Sequence, residues 1–302
     1  MRLLNASGCL DALTAPEVAR SLDAFVTKTV TPLPREGNEP VRIAEVEAGM
    51  LNAIGLANPG IERFCSDTLP KLAGLEIWVS VGGFSVQDYA DLCARLDGED
   101  IAAIELNLSC PNVDEVPESI GEVVAAARAA TAKPLYTKLS PAVPDVAETA
   151  RAAQVAGADG LSLVNTIRGL ALDERTLHPV LDRGAGGLSG PALRPIALAA
   201  VHACRRASPL PIVGMGGVMT GRHALELLAA GANDVALGTV LFCDPAAPGR
   251  IRAELEAELS AHGFANADNA VGAAHASDLP TLHQRSRVGV EKHLHTGLNV
   301  AG

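Results

Sequence analysis

Aromatic residues make up only 3% of this 302-residue chain: one tryptophan, two tyrosines and five phenylalanines. That leaves few rings for base-stacking platforms. A net charge of −11 also removes the attraction that a phosphate backbone requires, so no nucleic-acid partner is expected. The six cysteines, at 9, 65, 93, 110, 204 and 243, contain no Cys-x-x-Cys pair. This argues against a zinc site, an iron–sulfur ligand set or a secreted disulfide framework. No apolar run approaches the roughly 18 residues of a membrane span, and no signal peptide opens the chain. A cytoplasmic protein without membrane attachment is the expectation. No Gly-x-Gly-x-x-Gly follows the first strand-like run, which disfavours a Rossmann dinucleotide site.

Hydrophobic residues, at 48%, are organised as short β-rich runs alternating with Ala-rich helical runs. Strands are predicted over Phe25–Val30, Ile77–Val81, Ile101–Leu108, Leu135–Leu139, Gly160–Val164, Pro211–Val213 and Asp234–Leu237, with Met50–Ala57 as a weaker eighth. Helices are predicted over Gly121–Ala132, Asp145–Val155, Leu193–Arg206 and His223–Ala230, with Gly157 and Gly231 at positions suited to left-handed caps. Near-continuous apolar strands separated by helices indicate a parallel sheet buried on both faces. Eight strands would close a (β/α)8 TIM barrel, an α/β fold, with an open doubly wound sheet as the competitor. Residues 1–276 read as one domain and 277–302 as a polar tail. His293 and His295 in the tail read as solvated side chains, so no metal site is expected.

In such a barrel, reactive groups gather where strands run into loops at the C-terminal face. Thr27-Lys28-Thr29, Ser80, Asn107, Lys138, Asn165-Thr166, Gly214-Met215-Gly216-Gly217 and Gly238-Thr239 all occupy such points. Glycines after the last two strands suit a phosphate site, because they let backbone N–H groups approach an anion; a tight packing turn would use the same residues. Lys28 and Lys138 interrupt apolar strands, either as paired or snorkelling lysines or as cations aimed at an anionic ligand. The run Asn107-Leu108-Ser109-Cys110-Pro111-Asn112 places a thiol between two carboxamides, each able to donate and accept. Cys110 is either a small buried filler or an acid–base group whose pKa a nearby cation lowers. None of the eight histidines falls at a strand end, which favours Cys110 as the base.

These residues resemble the class 1 dihydroorotate dehydrogenases. The resemblance rests on Asn107–Asn112, Asn5-Ala6-Ser7-Gly8, Thr27-Lys28, the stretch Ala48–Gly60, Gly186–Pro191 and Gly238-Thr239. The Gly49–Gly60 and Gly186–Pro191 segments look most like the subclass 1B catalytic subunit. The resemblance implies an FMN-dependent oxidation of dihydroorotate to orotate in pyrimidine biosynthesis, on a (β/α)8 barrel. Cys110 would take a proton from C5 while hydride leaves C6 for flavin N5. Lys28 would touch flavin and substrate. Asn52, Asn107, Asn112, Asn165 and Thr166 would hold the substrate. Lys138 would face the flavin N1/O2 edge. Ala6, Ser7, Gly8, Ser80, Asn107, Val164 and Gly190 would lie along the flavin, with Gly216, Gly217, Gly238 and Thr239 at its phosphate. Implied partners are a second copy in a homodimer and an FAD/[2Fe–2S] electron-transfer subunit passing electrons to NAD; subclass 1A members use fumarate instead.

Three departures from the family pattern accompany this. Strands usually found before Asn5 are expected to be missing, the Val113–Ser119 loop is short, and the tail after Ser277 has no counterpart. Competing readings are a related FMN barrel acting on another dihydropyrimidine or on a tRNA uridine, a flavin-free phosphate-binding lyase or isomerase, and a silent flavin-binding subunit. The acidic composition speaks against the tRNA version.

Overall fold

The computed structural model describes residues 1–108 and 119–275. Cys110, Asn112 and the tail from 277 lie outside the described residues. Twelve strands occur in the described chain: β1 (Leu3–Asn5), β2 (Phe25–Val26), β3 (Ile43–Val46), β4 (Gly49–Asn52), β5 (Ile77–Val81), β6 (Ala103–Asn107), β7 (Leu135–Leu139), β8 (Gly160–Leu163), β9 (Ile167–Gly169), β10 (Gly186–Ser189), β11 (Ile212–Met215) and β12 (Asp234–Leu237).

Eight of them form a parallel sheet in the order β1-β12-β11-β8-β7-β6-β5-β2. A parallel bridge between Leu4 and Ala24 brings its two edges together. At this seam the Asn5 side chain stands in for ladder bonds: its Nδ2 donates to the Val26 carbonyl at 2.7 Å, and its Oδ1 accepts from the Val26 N–H at 2.8 Å. The expected (β/α)8 barrel is the observed architecture.

The strands are apolar throughout because both faces are covered. Along β6 and β7 the side chains of Ile104, Leu106, Leu135 and Leu139 pack outward into the large core beneath the helices. Ala103 and Tyr136 instead join Leu4, Val26, Trp78, Val213, Met215 and Ala236 inside the barrel. Helix starts follow local chemistry. Ser85, Ser119, Asp145 and Thr220 each accept a backbone N–H from the first turn of the helices Val86–Asp97, Ile120–Ala130, Val146–Val155 and Gly221–Ala230. The last of these ends at Gly231 in the left-handed conformation, with φ 119°, as expected from the sequence.

Two expectations are corrected. Met50–Ala57 does not supply a barrel strand. Met50 pairs antiparallel with Glu45 and Ser189 in a separate sheet ordered β3-β4-β10-β9. The remaining barrel strand is β1, Leu3–Asn5, which pairs in parallel with β12. Three residues are too few for a period-2 pattern to register, and Met50–Ala57 was itself only a weak pattern. The first predicted strand is also shorter than expected. Only Phe25 and Val26 pair with β5, and the chain rejoins the sheet at a Val30–Val81 bridge. Thr27 still donates its N–H to the Trp78 carbonyl at 2.9 Å, and Lys28 and Thr29 leave the regular ladder at the mouth of the barrel.

Candidate active site

A cavity of about 240 Å³ opens at the C-terminal end of the barrel. Ala6, Ser7, Gly8, Lys28, Asn52, Asn107, Lys138, Val164, Asn165, Thr166, Gly190, Gly216, Gly217, Gly238 and Thr239 all line it. These residues come from segments spread between 6 and 239, and only the closed barrel brings them together. Ser80 is placed differently: it is fully buried, and its hydroxyl lies 3.0 Å from Thr29 Oγ1, behind the cavity wall.

Ser80 thereby anchors a relay of polar groups. Asn165 Nδ2 donates to Asn107 Oδ1 at 3.2 Å, and Asn107 Nδ2 donates to Thr29 Oγ1 at 3.0 Å. The chain ends on the Ser80 hydroxyl, while the Ser80 N–H donates to Thr27 Oγ1 at 3.2 Å. Each carboxamide is thus held in one orientation by its neighbour before any ligand arrives. Such a wall presents a set donor–acceptor pattern to a ring bearing amide-like edges. Asn52, on β4 of the small sheet, is held separately by donation to the Gly187 carbonyl at 3.2 Å.

Two lysines enter the same space. Lys138 Nζ donates to Ser7 Oγ at 2.8 Å and lies 3.7 Å from Glu105 Oε1, with the two side chains only 6% and 1% exposed. Lys28 runs against Gly8, whose φ of +77° admits a bulkier residue only with strain. A Cβ there would sit 3.0 Å from Lys28 Cδ and 3.1 Å from Nζ. The phosphate-type end of the cavity shows the same economy of space. Gly217 has φ +69°, and an added Cβ would press on Arg194 and on the Gly190 carbonyl, both 2.8 Å away. Thr239 Oγ1 donates to Ser189 Oγ at 3.1 Å alongside it.

The cavity also contains residues to which no ligand role was assigned from sequence, including Cys9, Thr29, Met50, Ile54, Met215 and Phe242. Thr29 was adjacent to a nominated lysine. The others carried no polar signal and are gathered by tertiary packing. Cys9 does not compete as a base: burial pushes its thiol pKa up, and the opposing charges of Lys138 and Lys28 do not outweigh that. Burial likewise raises Cys65 to about 11 and Cys93 and Cys204 each to about 12. All these thiols are neutral near pH 7 and unpaired with one another.

Comparison with known proteins identifies the family to which this barrel belongs. The family model described as dihydroorotate dehydrogenase matches residues 2–259. The chain is 46% identical over 264 residues to a protein of Desulforudis audaxviator named as the catalytic subunit of dihydroorotate dehydrogenase B (NAD(+)), covering 84% of this chain and 86% of that protein. It is 43% identical to the same-named subunit of Listeria monocytogenes, covering 81% and 84%. A protein of Solibacter usitatus named as a putative dihydroorotate dehydrogenase A (fumarate) is 44% identical, covering 83% and 86%. The crystal structure of the Eimeria tenella enzyme in complex with ferulenol superposes with a TM-score of 0.74 at 21% identity, over 90% of this chain and 85% of that one, which supports the fold. A barrel with this mouth, matched along most of its length at this identity, belongs to the dihydroorotate dehydrogenase family and is most like its subclass 1B catalytic subunits.

Proposed function

We propose that the cavity binds FMN together with dihydroorotate, so that this chain performs its family's reaction, the oxidation of dihydroorotate to orotate in pyrimidine biosynthesis. The observation that carries this reading is the opening of two lysines, Lys138 buried and Lys28 half-buried, and a pre-oriented carboxamide relay onto one cavity with a glycine-lined end. The residues suit the cofactor. Gly217 leaves room only for backbone beside Gly190, as a phosphate cradle requires. Met215, Leu193 and Val164 offer apolar walls to a flat ring. Lys138 supplies a cation at the strand end where a flavin's N1/O2 edge would lie.

FMN supplies the hydride acceptor, at its N5. The chain's own groups do the rest. Gly216, Gly217, Gly238 and Thr239 hold the phosphate, while Ala6, Ser7, Gly8, Val164 and Gly190 pack along the ring. Lys28 reaches both ligands. Asn52, Asn107, Asn165 and Thr166, with Asn112, hold the pyrimidine and its carboxylate so that C5 faces Cys110. Cys110 takes the C5 proton as general base. Its role and that of Asn112 rest on the family motif, because both lie outside the described residues. Ser80 acts behind this group by holding Thr29.

Two partners follow. The naming of the relatives as NAD(+)-dependent catalytic subunits supports an electron-transfer subunit carrying FAD and a [2Fe–2S] cluster; among the described residues no helix is long and apolar enough to cross a membrane, and a cytoplasmic site is proposed. A homodimer is supported by three exposed apolar residues, Leu170, Leu172 and Leu177, in the segment between β9 and β10. A monomeric mass by light scattering at micromolar concentration would remove that assignment.

The deciding experiment is the visible spectrum of the purified protein under anaerobic conditions, before and after adding dihydroorotate. Bleaching of a flavin band is the expected result. A band that persists would redirect the assignment to another dihydropyrimidine. No band after supplying FMN would leave a phosphate-binding barrel of different chemistry.

A further inference from the structure

The residue best placed to act on the cofactor without touching the substrate is Glu105. It lies on β6 two residues before Asn107 and shares its inward face, with its side chain 1% exposed. Its Oε1 has no hydrogen-bond partner among the described residues and lies 3.7 Å from Lys138 Nζ. Ser162, which sits beside Lys138 in the β7–β8 register, also has a buried hydroxyl without a partner among the described residues. A buried ion pair with such loose geometry is a poor source of stability, since desolvating two charges offsets most of their attraction. An apolar pair of similar volume would hold the fold as well. The charge therefore needs another reason to be there.

Three charges meet at this end of the barrel. The Cys9 thiol, which lines the cavity, feels Lys138, Lys28 and Glu105 together, the first two opposing its burial and the third adding to it. The two lysines line the cavity, Glu105 stands beside Lys138 outside its lining, and the three sum to a formal charge of +1. Reduction of a flavin places negative charge on its N1/O2 edge, so the field of this trio favours the reduced over the oxidised cofactor. We propose that Glu105 is a positioning residue that sets the redox poise of the bound flavin, by offsetting part of the charge that Lys138 presents to it. This rests on the flavin reading above. It gives Glu105 a function that neither the binding of substrate nor the proton transfer requires.

The test is the two-electron reduction potential of the bound flavin, measured at pH 6 by equilibration with reference dyes in the parent and in Glu105→Gln. Loss of the carboxylate raises the net charge of the trio to +2. The expected change is a shift of at least tenfold in the flavin redox equilibrium towards the reduced form, about 30 mV for two electrons. Lys138→Gln should shift it in the opposite direction. In the Lys138→Gln background, Glu105→Gln should still raise the potential, since the carboxylate acts directly as well as through the lysine. Glu105→Asp, which keeps the charge but draws it back, should fall between parent and Glu105→Gln.

A parent protein without flavin would defeat the cofactor reading itself. A flavin-bearing parent whose potential matches that of Glu105→Gln would overturn this inference alone, as would a lower potential in the variant. Should Glu105→Gln lose its flavin, Glu105→Asp provides the measurement, and an unshifted potential there overturns the proposal. Loss of flavin from both variants would make Glu105 a folding residue and end it equally.

Discussion

The two ends of this barrel are built from similar residue types and do opposite things with them. At the N-terminal floor Arg2 lies over the Trp78 ring, 5.0 Å from its centroid, and Trp78 packs on Tyr136 with centroids 4.4 Å apart. The Arg2 guanidinium donates twice to Asp234 Oδ2, at 3.1 and 2.8 Å. Gly160 gives way to Tyr136, since any Cβ there would run into the ring. Cation and anion answer each other through two hydrogen bonds, and the rings fill the space. At the mouth, Lys138 has the Glu105 carboxylate only loosely placed beside it at 3.7 Å, the carboxamides are oriented but open to the cavity, and glycines keep volume clear. The floor seals the barrel, and the mouth keeps charge and polarity available for a ligand.

This contrast can be broken from either side. The largest effect is expected from Cys110→Ser, with turnover near pH 7 falling by about 10²–10⁴-fold because a hydroxyl is a much weaker base than a thiol. Flavin content and thermal stability should stay close to the parent. Equal rates for the two proteins between about pH 6 and about 9 would remove Cys110 as the base. Trp78→Ala should do the reverse at the floor. Burial of that ring predicts a loss of about 3–5 kcal/mol in unfolding free energy, read by denaturant titration, with turnover per bound flavin unchanged. A variant that is stable but slow would show that the floor communicates with the mouth. The smallest effect is expected for Asn107→Ala. It deletes the centre of the relay that links Asn165, Thr29 and Ser80 and should lower kcat/KM by about 10- to 100-fold, in line with about 1–3 kcal/mol for stranding polar partners. An unchanged kcat/KM would mean that the relay is structural and reads nothing on the substrate.

Much of the mouth was legible in the chain because barrel strands are buried on both faces, so a polar residue at a strand end stands out against an apolar run. Lys28, Asn107, Lys138 and Asn165 announced themselves in this way. Ser80 was visible by the same signal but serves behind the wall, since the hydroxyl of Thr29 stands between it and the cavity. Glu105 was passed over because it sits inside its strand rather than at the end, where sequence offers no hint of which cation it meets. The interior of the floor was equally silent. Arg2 and Asp234 are 232 positions apart, and nothing local connects them.

The strand–helix alternation, the helix caps and the glycine-rich late loops were determined by sequence alone, because they depend on contacts within a few residues and on hydrophobic periodicity. The identity of the remaining stave was decided only by the tertiary structure. Leu3–Asn5 is too short to show a period and becomes a strand by pairing with β12 on one side and by lending the Asn5 side chain to Val26 on the other. The placement of Met50 and Asn52 was settled the same way, since β4 finds its partners in β3 and β10 rather than in the barrel. Non-local pairing leaves no trace in local pattern, and the geometry that joins residues 6 to 239 around one cavity exists only once the barrel closes.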